Sequence, residues 1–111
     1  MPATYEDAGL MMQIVRWGTD MGLEESMSLL MSGDFDAETA SATDVLVGRV
    51  LGFGELIGTF VKQGILNKEL VLDMWWVEGL WAKVGPAAIR ERNKIGEARL
   101  YENFEALATG D

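Results

Sequence analysis

The sequence predicts an all-α protein: a compact bundle of five to six helices around a glycine-containing central helix, in a single domain over residues 1–111. Three observations predict it. Apolar residues recur at helical spacing in every segment, as in Leu46, Val50, Phe53, Ile57 and Phe60, a stripe with none of the alternation a strand requires. Glycines at positions 22, 33, 64 and 96 stand where the stripes stop. The chain of 111 residues, 49% of them apolar, is long enough to bury one core.

Thr4 opens the first helix, with Asp7 three residues on in a variant of the capping box and Glu6 complementing the positive helix end. Its expected core stripe is Leu10, Ile14, Trp17 and Met21, and Gly22 ends it. A short second helix presents Leu23, Met27, Leu30 and Met31 and ends at Ser32-Gly33. The stretch DFDAETASATD, residues 34–44, is the clearest connection in the chain. Asp34 and Asp36 are too few for a cation site. Helix capping is the better account, with Asp36 or Ser41 opening the next helix.

The central helix, VLVGRVLGFGELIGTFV from Val45 to Val61, carries four glycines. Each costs about 0.8–1.0 kcal/mol of helix propensity, so packing on more than one side must offset the loss. Gly48 and Gly52 share a small or polar face with Thr59, and close helix packing is expected there. Gly54 and Gly58 lie on a further flank. A membrane span is disfavoured, because the 17-residue run contains Arg49 and Glu55 and a span needs about 20 predominantly apolar residues.

After Gly64, Asn67 caps a helix with the stripe Leu70, Met74, Val77, Trp81 and Val84. Trp76 and Leu80 then fall among Glu69, Asp73 and Lys83 on the polar side, and large apolar groups in that setting ask for a partner. Gly85-Pro86 is expected to interrupt or kink this helix, or to begin a new one. A last helix carries Leu100, Phe104 and Leu107.

Three stretches, GELIGTFVKQGILNKEL, WWVEGLWAKVGPAAIRERNK and LYENFEALA, resemble a family of uncharacterised bacterial helical proteins with a closing Tyr or Trp before Glu-Asn-Phe-Glu. The likeness is strongest from Val45 to Ala108. It implies an all-α fold and brings no catalytic residues. Relatives often have a longer acidic and aromatic segment where this chain has DFDAETASATD, and some carry a membrane span.

Charge and residue types narrow the function. Nine basic against 18 acidic side chains give a net charge of −9, which disfavours nucleic-acid binding. The acids concentrate in residues 1–48, whereas residues 83–99 are basic, so the two regions can attract each other within or between chains. Neither cysteine nor histidine occurs. Disulfides, zinc fingers, imidazole metal sites and Cys/His or Ser/His/Asp nucleophile systems are therefore excluded, and no phosphate-cradling glycine loop is present. The acidic start lacks the features of a signal peptide, and a cytoplasmic setting is expected.

Neither an enzyme, a cofactor nor a metal is expected. The chain reads as an interaction or structural module acting as a homodimer, with Trp76, Leu80, Glu69 and Asp73 at the interface. The alternative is a small-molecule-binding module, its pocket drawn from Trp75, Trp81, Glu55, Glu78 and Arg90.

Overall fold

The computed structural model describes residues 2–110, and among them the regular structure is helical throughout, with no strand. The order is α1 (Tyr5–Asp20), α2 (Leu23–Met31), α3 (Val45–Lys62), α4 (Lys68–Met74), α5 (Val77–Ile95) and α6 (Glu102–Thr109). The caps follow local chemistry. Thr4 and Asp7 form a reciprocal capping box at α1, and the side chain of Asn67 accepts the N–H of Leu70 at 2.8 Å to open α4. Gly22, Gly64, Gly96 and Gly110 all adopt positive φ, the left-handed conformation that suits a helix exit. Asp44 is the residue before α3, in place of the expected Asp36 or Ser41. Asp36 instead turns the connection by accepting the N–H of Glu38.

α3 is the axis of the bundle. It buries Val47, Val50, Leu51, Phe53, Gly54, Ile57 and Gly58, a set that spans more than one side of the helix. It packs most extensively on α6 and also meets α2 and α5, while α1 rests on α2. The long connection from 32 to 44 is tied down by Arg90 of α5, whose guanidinium donates to the carbonyls of Ala37 (2.9 Å) and Ala40 (2.5 Å).

The structure departs from the sequence reading in the second half. The helix expected to run from Asn67 to Val84 is two helices, because Trp75 (φ −122°, ψ 145°) and Trp76 (φ −82°, ψ 66°) leave the helical region. This link resets the helical phase. α5 buries Val77, Leu80, Val84, Ala87 and Ala88, and Met74 is exposed. The chain then continues helical through Gly85-Pro86, where the break was expected. Pro86 removes one hydrogen bond to the carbonyl four residues back; that residue, Ala82, is exposed, where water can serve the carbonyl instead.

The first two helices are also rotated relative to their expected stripes. α1 buries Met11, Ile14 and Gly18, with Trp17 partly exposed, and α2 buries Leu23, Ser26 and Leu30, with Met31 exposed.

Candidate functional site

An apolar cleft of about 500 Å³ lies where α1, α2, α3 and the α4–α5 corner converge. Gly18 permits the approach, since a Cβ there would lie 3.2 Å from Leu23 Cδ2 and 3.6 Å from the ring of Phe53. Gly22, at φ 84°, turns α1 into α2. Arg49 of α3 then clamps this hairpin by donating to the Gly22 carbonyl at 3.2 Å and to Glu25 Oε1 at 2.9 Å. Phe53 of α3, only 1% exposed, forms part of the cleft's floor. Its ring stacks on Trp17 (centroids 6.0 Å apart, interplanar angle 14°) and meets Trp75 edge to face (5.2 Å, 81°). Leu23 and Met27 of α2, Val15 of α1 and Met74 of α4 complete the apolar walls, and Thr19, Glu24 and Ser28 supply the polar positions.

The residues proposed for a tryptophan-lined pocket do not come together. Trp75 lines the cleft. Trp81 instead packs edge to face on Phe104 at 5.1 Å, with the Arg92 guanidinium 5.8 Å from its ring centroid. Glu78 is exposed, and Arg90 is engaged by the 32–44 connection. Glu55 faces α6, where its Oε1 accepts the backbone N–H groups of Asn103 (3.0 Å) and Phe104 (3.1 Å). Glu55 thus caps α6 and does not line the cleft. A smaller cleft of about 330 Å³ lies between Val61, Lys62, Lys68 and Asn103 and contains none of the proposed pocket residues.

The close-packing glycines also differ from expectation. A Cβ at Gly52 would meet nothing within 4 Å, and one at Gly48 would only touch the Ala42 carbonyl at 3.4 Å. Close approach occurs on the neighbouring flank, where a Cβ at Gly54 would overlap the Phe104 ring and one at Gly58 would overlap the Asn103 backbone. Thr59 contributes through hydrogen bonding rather than size. Its hydroxyl donates to the Glu55 carbonyl at 2.7 Å and accepts from Asn103 Nδ2 at 3.0 Å. The α6 helix needs this outside help because Tyr101, its N-terminal neighbour, sits at φ 58° and offers no side-chain cap.

Of the interface candidates, Trp76 is 61% exposed, and Glu69 and Asp73 of α4 are exposed as well. Leu80 is only 4% exposed and belongs to the core, a consequence of the phase reset at Trp75-Trp76. Trp76 immediately precedes α5, and its indole lies over Gly79, where a Cβ would overlap the ring.

Sequence reasoning missed Phe53, Met27 and Met74 as site residues because each falls on a stripe that reads as core. Arg92, whose side chain is 12% exposed, holds the α5–α6 turn through the Leu100 carbonyl (2.7 Å) and Glu105 (3.0 Å). Among the described residues no group of three or more acidic side chains is placed to hold a metal ion, and no helix is long and apolar enough to cross a membrane.

Residues 20–110 match the model of a domain of unknown function, DUF4760, and the chain belongs to that family. No curated protein and no solved structure matches it.

Proposed function

We propose, from the premise of a helical family with no assigned activity, that this chain is a non-enzymatic interaction module that self-associates as a two-fold homodimer through its Trp76 corner. One observation carries the reading: Trp76 is 61% exposed to solvent while its indole rests on Gly79. A tryptophan already held in place loses little conformational freedom on binding, and tryptophan is enriched among the residues that dominate interface energetics. Exposed Met74 adds apolar area, and Glu69 and Asp73 supply a polar rim. The acidic first half and basic 83–99 segment favour orientation of two copies, and a bacterial cytoplasmic setting is part of the same proposal. Sedimentation tests it. The wild type should run as a dimer and Trp76→Glu as a folded monomer; a monomeric wild type, or a variant that stays dimeric, overturns the reading.

The cleft supports a second reading, a small-molecule-binding module. Its volume of about 500 Å³ lies within the range of ligand pockets, roughly 300–1,000 Å³. Trp75 and Phe53 give it an aromatic corner.

A further inference from the structure

We infer that the cleft takes an organic cation with an apolar body, in the manner of a quaternary ammonium group carried on an aromatic ring. The inference rests on the small-molecule reading of the cleft and names its ligand class; Met74 is common to the cleft and to the interface proposed at Trp76, so Met27 is the reporter that separates the two.

Charge supplies the first argument. Among the described residues Glu24 is the one ionisable side chain lining the cleft, and no lysine or arginine lines it. Its neighbour Glu25 is engaged by Arg49 at 2.9 Å, whereas Glu24 is exposed and has no ionic or hydrogen-bond partner among the described residues. The surrounding helices reinforce the sign. On α1 to α4 the acids Glu6, Asp7, Asp20, Glu24, Glu25, Glu55, Glu69 and Asp73 outnumber the bases Arg16, Arg49, Lys62 and Lys68, and Arg49 is already paired with Glu25. A cleft with low-dielectric walls and one sign of charge concentrates the opposite ion. An anion would meet a carboxylate there with no basic group to compensate.

The walls supply the second argument. Trp75 and Phe53 stand edge to face, 5.2 Å between centroids, and Trp75 is only half-buried. The indole face is the aromatic surface most attractive to a cation, and thioethers such as those of Met27 and Met74 adapt to varied apolar shapes. Thr19 has its hydroxyl hydrogen committed to the Val15 carbonyl at 3.1 Å, so it offers an anion no donor. A quaternary head carries no N–H group and needs no acceptor in such walls.

The test titrates the full chain with benzyltrimethylammonium and, separately, with 3-phenylpropionate, a comparable aromatic anion. Tryptophan fluorescence and the methyl resonances of Met27 and Met74 report binding. The cation should shift both methionine signals saturably and bind at least about fivefold more tightly than the anion. Glu24→Gln, at an exposed position, should remove that preference while the protein stays folded, and Trp75→Leu should weaken cation binding. Equal affinity for the two probes, or a preference unaffected by Glu24→Gln, overturns the assignment of an organic cation and leaves a ligand cleft of another class. Binding of neither probe, or shifts confined to residues outside the cleft, overturns the cation assignment together with the small-molecule reading.

Discussion

Glu55 caps α6 from across the bundle, its Oε1 accepting the backbone N–H of Asn103 at 3.0 Å. The same oxygen takes the N–H of Phe104 at 3.1 Å, so one carboxylate on the central helix serves two of the amide groups that the first turn of a helix leaves without internal partners. A negative group at that end also complements the helix dipole. Glu55→Ala should therefore cost about 1–3 kcal/mol in urea unfolding, the range for hydrogen bonds to a charged group and for lost caps. Glu55→Gln should cost less, because its amide oxygen still accepts. Faster hydrogen exchange at Asn103 and Phe104 in the alanine variant would locate the loss at α6; unchanged exchange would show that α6 does not depend on this cap.

The glycines of α3 separate into two classes that one set of variants can distinguish. Gly58→Ala should destabilise by about 1–3 kcal/mol, since its new methyl would press on the Asn103 backbone, which cannot rotate away. Gly54→Ala meets the Phe104 ring and should behave likewise. Gly52→Ala faces open space in a helix interior and should stabilise by roughly 0.5–1 kcal/mol. Thermal or urea melts of the three variants measure this, and a destabilised Gly52→Ala would contradict the assignment of faces.

Arg92 joins Trp81 of its own helix to the turn that leads into α6. It donates to the Leu100 carbonyl at 2.7 Å and to Glu105 at 3.0 Å. Arg92→Ala should lower stability by about 1–3 kcal/mol, as removing the guanidinium from a part-buried ion pair leaves the Leu100 carbonyl and Glu105 without this donor. Arg92→Lys keeps the charge and loses the planar fork, so it should recover only part of that stability. Full recovery by lysine would reduce the role of Arg92 to its charge.

Asp7 makes stability depend on pH. Its carboxylate accepts the Thr4 N–H at 2.8 Å, and this bond, with the N–H of Asn67 at 3.0 Å, holds its pKa below the ordinary aspartate value. Burial opposes the shift without reversing it. A carboxylate whose pKa is depressed in the folded state contributes stability that is present above its unfolded pKa, near 4, and lost as pH falls through the lower folded value. Asp7→Asn should therefore flatten the acid limb of stability against pH below about 4 and leave the slope near neutrality unchanged. Urea midpoints from pH 2.5 to 7 provide the measurement, and an unaltered acid limb would exclude this linkage.

Much of the fold was legible in local sequence because its determinants act over a few residues. Thr4 with Asp7 wrote the start of α1, Asn67 the start of α4, and Gly22, Gly64 and Gly96 the left-handed exits. Apolar spacing identified the central helix, and the absence of cysteine and histidine removed whole classes of chemistry. Periodicity says that a helix exists; its phase is decided by neighbours. Whether Trp75-Trp76 continues a helix or breaks it depends on what the two indoles pack against: Trp75 reaches Phe53, twenty-two residues away, and Trp76 rests on Gly79. That break turned Leu80 into the core, left Trp76 exposed and moved Trp75 to the cleft. Which glycines of α3 admit another helix was likewise set by where α6 lands, on Gly54 and Gly58, since a small side chain permits close approach without specifying who approaches. The sequence by itself determined the all-α class and the ends marked by local caps and glycines; only the packing of distant segments decided where Trp75-Trp76 breaks the chain, which faces are buried, which carboxylate caps α6 and where a cleft remains open.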